Sequence, residues 1–173
     1  MAEFQFRCTE CDEAYGEDPS LYVCPSCAAR QEPGRPTRGV LEVELKDLPD
    51  SWPSAGPSDE EFLQAFLPLA HHGLVPPLSV GATPLLPATG LREVFGTPNL
   101  WLKDDTRNPS GSTKDRASLL VVAKAREYGL PTVAAASTGN AATALAAVAA
   151  ATEARAVVFV PASAPAAKLV QML

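Results

Sequence analysis

The sequence predicts an α/β domain with a largely parallel sheet and helices on its faces, preceded by a small zinc-ribbon-like segment. Three observations support this prediction. From residue 97 onward, short apolar runs alternate with longer helical patterns, as they do in α/β folds. The 173 residues are 46% hydrophobic, and much of that content is alanine, which suits helices packed closely against a sheet. All four cysteines lie within the first 27 residues.

Charge and hydropathy argue against several classes of function. The formal net charge of −6 opposes binding to nucleic acid, whose phosphates require a basic surface. No run reaches the ~18 uninterrupted apolar residues of a membrane span. The N-terminal sequence MAEFQFRCTEC lacks the basic and then apolar pattern of a secretory signal. We therefore expect a cytoplasmic protein that binds neither nucleic acid nor a membrane.

The cysteines form two CxxC pairs, Cys8 with Cys11 and Cys24 with Cys27, separated by twelve residues. Four thiolates in two such turns suit the tetrahedral geometry that Zn²⁺ prefers in structural sites. Two disulfides are an alternative, but a reducing cytosol disfavours them, and an iron centre or a metal-free remnant also stays open. We expect a structural Zn²⁺, since four cysteine ligands leave no coordination position for chemistry.

The zinc-ribbon-like segment is predicted to span residues 1–38. It carries four arginines against seven acidic residues, a net charge of −3, which is not typical of a phosphate-binding ribbon. Residues 30–39 read RQEPGRPTRG, and this Pro- and Gly-rich composition indicates a linker to the remaining domain, residues 39–173.

Local patterns predict the next elements. VLEVEL (40–45) alternates apolar and acidic residues, as a half-exposed strand does. Ser58 and Glu61 have the spacing of a capping box and predict a helix that begins at residue 58. His71 and His72 follow in a predicted loop without a partner motif, and no function is assigned to them.

The alternating region contains three predicted strands and three predicted helices. The strands are 99–103, 130–136 and 154–161, and the helices are 114–129, 137–153 and 163–173. Asp115 suits the first turn of the first helix, Lys124 its last turn, and Gly129 its end.

Two polar loops precede helices in this region, DDTRNPSGSTK (104–114) and STGN (137–140). Ligands of parallel α/β sheets collect where strands end and helices begin, so we expect the loops to converge. A desolvated lysine at a helix start loses its proton readily, which makes Lys114 a candidate nucleophile toward an aldehyde. The STGN loop offers N–H groups and hydroxyls for an anion, and together the loops suit pyridoxal phosphate chemistry. A capped helix with a surface lysine explains the same spacing equally well.

Three segments, in order, carry a resemblance to a known family. NPSGSTKDRAS resembles the lysine loop of the fold-type II pyridoxal phosphate enzymes, STGNAA resembles their asparagine loop, and GATPLLPATGL (81–91) resembles their GxTPL segment. The resemblance covers residues 75–173. It implies a three-layer fold of the tryptophan synthase β-like type, of which residues 39–173 supply the N-terminal part. It also implies pyridoxal 5′-phosphate as the cofactor and an amino acid as the substrate.

The resemblance also implies roles for individual residues. Lys114 would bind the cofactor covalently and act as the general acid and base. Asn140 would hydrogen-bond the 3′-oxygen of the cofactor. Ser137, Thr138 and the backbone of Gly139 would bind the α-carboxylate of the substrate.

Within this family the chain looks most like the threonine synthases, because Lys-Asp-Arg begins at Lys114 and paired cysteines precede the domain. Asp115 and Arg116 match the family pattern and are expected to be structural. This resemblance implies conversion of O-phosphohomoserine and water to threonine and phosphate, by a homodimer when full length. Relatives such as cysteate synthase, cysteine synthase and threonine dehydratase remain open, as does a non-catalytic zinc-ribbon relic.

The chain departs from the family pattern in two respects. Thr113 stands where the family usually has an aromatic residue before the lysine. A glycine-rich phosphate loop and a late Ser or Thr for the pyridine nitrogen are missing, and KLVQML (168–173) lies within a helical pattern without a stop signal. We therefore expect a chain truncated at its C-terminus and inactive by itself.

Overall fold

A computed structural model describes residues 4–46, 48 and 66–173 of the chain. The chain divides into two compact units, Met1–His72 and Gly73–Leu173, called here the N-terminal and C-terminal units. The helix predicted to begin at residue 58 falls largely outside the described residues. The described helices contain no stretch with the length and hydrophobicity of a membrane span.

The N-terminal unit contains a three-stranded antiparallel sheet and one short helix. The elements in chain order are β1 (Phe4–Cys8), β2 (Ala14–Tyr15), α1 (Pro25–Ala28) and β3 (Leu41–Leu45). The strands lie in the order β2-β1-β3. The strand predicted at 40–45 is present as β3, and its residues face those of β1 from Phe4↔Leu45 to Cys8↔Leu41.

The predicted boundary after residue 38 does not coincide with the division in the structure. β3 lies beyond that boundary, yet it pairs along its whole length with β1. The alternating sequence LEVEL supplies one edge of the small sheet, so the segment that contains the cysteines continues at least through residue 45.

The C-terminal unit begins with an antiparallel pair of short strands. β4 (Leu85–Pro87) pairs with β5 (Trp101–Lys103), and α2 (Thr89–Phe95) connects them. Gly96 ends α2 in the left-handed region, with φ of 61°, as a C-terminal glycine commonly does. Backbone hydrogen bonds from Ala88 to Leu100 and from Asp104 to Pro84 extend the pairing at both ends.

An α/β arrangement forms the rest of this unit. Its elements are α3 (Lys114–Glu127), β6 (Thr132–Ala136), α4 (Asn140–Ala150), β7 (Arg155–Phe159) and α5 (Ala166–Val170). β6 and β7 are parallel, with register from Thr132↔Arg155 to Ala136↔Phe159. The buried core between the helices and these strands consists of Val122, Ala125, Val133, Leu145, Val148 and Ala149.

The prediction that the strand at 99–103 joins a parallel sheet is wrong. In the described residues, only β6 and β7 pair in parallel, and β5 pairs with β4 instead. The apolar residues Leu86 and Leu102 face each other in this register, so β4 is the strand that pairs with β5. The lysine loop therefore follows an antiparallel strand.

Helix boundaries in this unit follow local chemistry. α3 begins at Lys114 as predicted, carries Asp115 in its first turn and Lys124 in its last, and is followed by Gly129 with φ of 66°. α4 begins at Asn140, three residues later than predicted, because Gly139 is extended, with φ of −118° and ψ of −158°. Residues 137–139 therefore form a loop.

Candidate functional site

The four cysteines form one cluster in the N-terminal unit. Their sulfur atoms all lie within 4.8 Å of one another. Cys8 Sγ lies 3.8 Å from Cys27 Sγ, and Cys11 Sγ lies 3.7 Å from Cys24 Sγ. A tetrahedral Zn²⁺ with bonds to sulfur of ~2.3 Å requires sulfur separations of about 3.8 Å. The alternative of two disulfides is wrong for this structure, since all four cysteines are free, and the cluster fits a tetrahedral metal ion.

Secondary structure places the two pairs. Cys8 ends β1, and the turn after it returns through hydrogen bonds from Asp12 N to Cys8 O and from Cys8 N to Glu13 O. Cys24 stands at the N-terminal boundary of α1, and Cys27 lies within this helix. Each pair therefore projects its sulfurs from a tight turn or the first turn of a helix.

Gly39 and Val40 accept backbone hydrogen bonds from both CxxC turns, and we call this dipeptide the strap. Cys24 N donates to Gly39 O at 2.8 Å, and Thr9 N donates to Val40 O at 3.0 Å. Gly39 has φ of 69°, and a Cβ there would lie 3.0 Å from the Cβ atoms of Cys24 and Cys27. The strap thus requires glycine at its first position.

A carboxylate inside the first CxxC turn holds the strap. Glu10 accepts hydrogen bonds from Gly39 N at 2.6 Å and from Arg38 Nη2 at 2.7 Å. These contacts lower the pKa of Glu10, chiefly through Arg38. The interpretation of residues 30–39 as a linker missed this role, because Pro and Gly indicate irregular backbone without showing what that backbone contacts.

Polar protein groups also contact the sulfur atoms. The Tyr15 hydroxyl lies 3.1 Å from Cys24 Sγ, and this contact lowers the pKa of the Cys24 thiol to about 6. Arg30 Nη2 donates to Cys27 Sγ at 3.3 Å, and Glu10 N donates to Cys8 Sγ at 3.4 Å. A hydrogen bond donated to sulfur favours the thiolate form that a metal ion requires, although burial raises the pKa of the Cys27 thiol overall.

Lys114 is the first residue of α3 and is exposed. Its backbone N–H donates to Ser112 Oγ at 3.2 Å. In the described part of the chain, its side-chain amine forms no hydrogen bond or ion pair. Because the side chain is exposed, the desolvation expected from the sequence is not found within the described residues. The amine is accessible to an incoming carbonyl compound.

Buried polar contacts fix the loop beneath Lys114. Asn108 is 4% exposed, accepts a hydrogen bond from Gly81 N at 3.0 Å and donates to Ser112 O at 3.0 Å. Asp115 is fully buried, and its Oδ2 accepts from Ser110 N at 2.9 Å. Asn108 thereby joins the GxTPL segment to the lysine loop.

A bidentate ion pair makes a second connection between these segments. Arg116 donates to both carboxylate oxygens of Asp105 at 2.8 Å, and Thr83 Oγ1 donates to the same carboxylate at 2.8 Å. Arg116 Nη2 also donates to Gly81 O at 3.3 Å. Hydrogen bonds from Arg116 and then from Thr83 lower the pKa of Asp105, and Asp105 raises the pKa of Arg116.

The sequence indicated part of this network and missed the rest. Asp115 and Arg116 were expected to be structural, and their contacts agree with that expectation. Asp105 and Asn108 were not singled out, although both lie in the polar run DDTRN. The signal available was the concentration of hydrogen-bonding side chains in a loop that a helix immediately follows.

The STGN loop lies between the carboxyl end of β6 and the start of α4. Ser137, Thr138 and Gly139 are partly buried, and Gly139 N donates to Ser137 Oγ at 3.2 Å. Asn140 is exposed at the first position of α4. The site residues of this loop therefore stand at a strand end, as the sequence predicted.

Topology relates this loop to Lys114. α3 and α4 pack against each other and against β6, which runs between them in the chain. Because the chain reverses direction at each connection, both helices run opposite to β6 and begin at the same end of this unit. In the described residues no hydrogen bond joins the two loops, so their convergence on one ligand stays a prediction.

Comparison with known proteins identifies the family. The family model described as pyridoxal-phosphate dependent enzyme matches residues 77–173, which is more than half of the chain. The chain belongs to this family. The GxTPL segment, the lysine loop and the STGN loop all lie within the matched residues, whereas the cysteine cluster precedes them. Membership of the pyridoxal-phosphate dependent enzymes implies pyridoxal phosphate as the cofactor and the mixed α/β fold of the tryptophan synthase β-like type.

Curated relatives match this chain over part of their own, longer sequences. Threonine synthase of Methanosarcina acetivorans is 32% identical over 148 residues, which cover 83% of this chain and 33% of that protein. Threonine synthase of Methanocaldococcus jannaschii is 30% identical over 162 residues, covering 90% of this chain and 37% of the relative. Threonine synthase of Halalkalibacterium halodurans is 40% identical over 96 residues, 56% of this chain and 27% of the relative. The chain spans about a third of the length of these relatives.

Proposed function

We propose that the full-length protein carrying this sequence is a pyridoxal-phosphate dependent lyase of the threonine synthase type. It would convert O-phosphohomoserine and water to threonine and phosphate. The observation that carries the proposal is the accessible amine of Lys114 on a loop that Asn108 and Arg116 tie to the GxTPL segment. The curated relatives described above, all named threonine synthase, support this choice of substrate over the other relatives.

The residues present fit the cofactor. Lys114 places a primary amine at the start of a helix, where the side chain is accessible and uncommitted within the described residues. Pyridoxal phosphate, when bound, supplies an electron sink for carbanions at the α- and β-carbons of the substrate. Asn140 would donate to its 3′-oxygen, from the first position of α4.

The remaining residues would bind the substrate and move protons. Ser137, Thr138 and the backbone of Gly139 would hold the α-carboxylate, since the loop stands at a helix N-terminus that favours an anion. Nζ of Lys114 would take the proton from the substrate α-carbon and return it later. Asp115 and Arg116 would keep the lysine loop in position through their contacts with Ser110 and Asp105.

Replacement of Lys114 tests the enzyme assignment. In full-length protein, Lys114→Ala is expected to remove the visible absorbance band that borohydride bleaches and to lower threonine formation by at least about 10³-fold. Lys46→Ala, at an exposed lysine of the N-terminal unit, is the matched control and is expected to leave both unchanged. A visible band that survives in Lys114→Ala would contradict the assignment. Turnover of O-acetylserine or threonine in place of O-phosphohomoserine would keep the pyridoxal phosphate chemistry but change the reaction and the substrate.

We propose separately that the cysteine cluster binds a structural Zn²⁺. The sulfur separations of 3.7 and 3.8 Å support a tetrahedral ion, and zinc chemistry suits four thiolates. Metal analysis of purified protein is expected to give one zinc per chain, and Cys8→Ser is expected to lose most of it. Ser26→Ala, at an exposed position of α1, is the control. Full zinc content in Cys8→Ser, or iron in its place, would contradict the proposal.

Assembly and location are parts of the same proposal. We infer that the full-length protein acts as a homodimer in the cytoplasm, where free cysteines persist. Sedimentation of the full-length protein measures its oligomeric state, and cell fractionation determines its location. A monomer, or recovery from an oxidising compartment, would contradict them.

A further inference from the structure

Arginine side chains in the N-terminal unit divide into two groups. Three of them pair with carboxylates: Arg7 with Glu44, Arg35 with Glu32, and Arg38 with Glu10. Arg30 instead donates to a sulfur atom, Cys27 Sγ, at 3.3 Å. Among the described residues, Arg30 is the only cationic side chain that hydrogen-bonds a cysteine sulfur.

The backbone directs Arg30 toward this sulfur. Arg30 follows α1 closely, and its backbone N–H donates to Cys27 O at 3.0 Å. The same residue thus contacts Cys27 through both its backbone and its guanidinium. Since Arg30 is exposed, burial does not hold its side chain against this sulfur.

Charge explains why a cation at this place matters. Four thiolates around Zn²⁺ carry a net charge of −2, in a segment (residues 1–38) whose own formal charge is −3. Cys8 accepts a hydrogen bond from backbone Glu10 N, and the Tyr15 hydroxyl near Cys24 donates its one proton to the Glu13 carboxylate. A hydrogen bond from a guanidinium is charge-assisted and offsets negative charge directly at the sulfur.

We propose that Arg30 is a positioning residue that strengthens Zn²⁺ binding by donating a hydrogen bond to the Cys27 thiolate. The proposal rests on the metal site proposed above and is independent of the pyridoxal phosphate chemistry. Arg30 lies outside the ligand set, so its loss weakens metal binding without abolishing it. Groups that hydrogen-bond metal ligands typically change affinity by 10–100-fold, and an exposed donor belongs at the lower end of that range.

Competition for Zn²⁺ against a chromophoric chelator, at fixed pH and ionic strength, measures the effect in full-length protein. Arg30→Gln is expected to bind Zn²⁺ about 10-fold more weakly than wild type. Arg35→Gln removes the same charge from a side chain 72% exposed and paired with Glu32, so it is the matched control and is expected to change affinity by less than about 2-fold. Arg30→Lys keeps the charge and is expected to fall between wild type and Arg30→Gln. Equal affinities for Arg30→Gln and Arg35→Gln would overturn the proposal.

Substitution with Co²⁺ gives a readout that a general loss of stability would not produce. Removing a hydrogen bond raises the energy of the sulfur lone pairs, so the thiolate-to-cobalt charge-transfer band is expected to move to longer wavelength in Arg30→Gln. The band is expected to stay in place in Arg35→Gln. An unmoved band in Arg30→Gln would overturn the proposal. Wild-type protein that binds neither metal would overturn both the metal site and the role of Arg30, while leaving the enzyme assignment untouched.

Discussion

The cysteine cluster and the lysine loop are organised in opposite ways. Three of the four cysteines are fully buried, and their sulfurs stand at the separations of a tetrahedral metal complex. Lys114 is exposed, while the residues that hold it, Asn108 and Asp115, are buried. A structural metal site needs closed coordination, and a reactive amine needs access. The chain therefore buries most of the candidate metal ligands in one region, and in the other it buries the residues that support the candidate amine.

Substitution of Gly39 is expected to have the largest effect on this comparison. Gly39→Ala introduces a side chain at φ of 69° and places its Cβ 3.0 Å from two cysteine Cβ atoms and a backbone oxygen. We expect a loss of about 2 kcal/mol or more in stability of the N-terminal unit, with weaker metal binding. Chemical unfolding measures the loss of stability, and metal titration measures the change in metal affinity. Gly16→Ala, where nothing lies within 4 Å, is the control, and equal behaviour of the two variants would contradict the role of the strap.

Substitution of Gly81 tests the support beneath Lys114. A Cβ at Gly81, where φ is 88°, would lie 2.8 Å from Nη1 of Arg116. The long arginine side chain can shift, so backbone strain dominates and we expect a loss of about 1–2 kcal/mol. Urea unfolding of the full-length protein measures the loss. The comparison variant is Gly90→Ala in α2, where a Cβ meets nothing within 4 Å and helix propensity favours alanine. A loss of stability in Gly90→Ala as large as in Gly81→Ala would contradict the predicted strain at Gly81.

Acid is expected to weaken the Asp105–Arg116 pair. Its effect on stability is expected to be smaller than the effects of substituting Gly39 or Gly81. The pKa of Asp105 is lowered in the folded chain, so its contribution is fully present above the ordinary aspartate pKa of ~3.9 and declines as pH falls below it. We expect the stability difference between wild type and Asp105→Asn to shrink between pH 7 and pH 3. Unfolding experiments at both pH values measure it, with the exposed Glu153→Gln as control. If the stability difference between wild type and Asp105→Asn grew on acidification, the predicted direction of the pH dependence would be wrong.

Local spacing made the cysteine cluster and the bounds of α3 predictable, whereas α4 and α5 begin three residues later than predicted. Two CxxC pairs bring their own ligands together through short turns, so few long-range contacts had to be inferred. The start of α3 at Lys114 and its end at Glu127, two residues before Gly129, follow from charges and a glycine close to those positions. Such features depend on neighbouring residues, which the sequence displays directly.

Features that depend on distant partners could not be predicted in the same way. β4 has three residues and ends in a proline, a pattern too weak to indicate the partner of β5. The sequence also does not show whether Asp104 or Asp105 faces Arg116, since both are adjacent carboxylates. Exposure of Lys114 depends on what packs over the loop, which helix-start electrostatics do not determine.

The strap has a consequence for synthesis of the protein. When residues only up to 37 have left the ribosome, the nascent chain already exposes all four cysteines. It still lacks the backbone acceptors of Gly39 and Val40. We expect such a chain to exchange the proposed Zn²⁺ rapidly with the cell's thiol pool. Tight retention would begin only after residue 40 has left the ribosome.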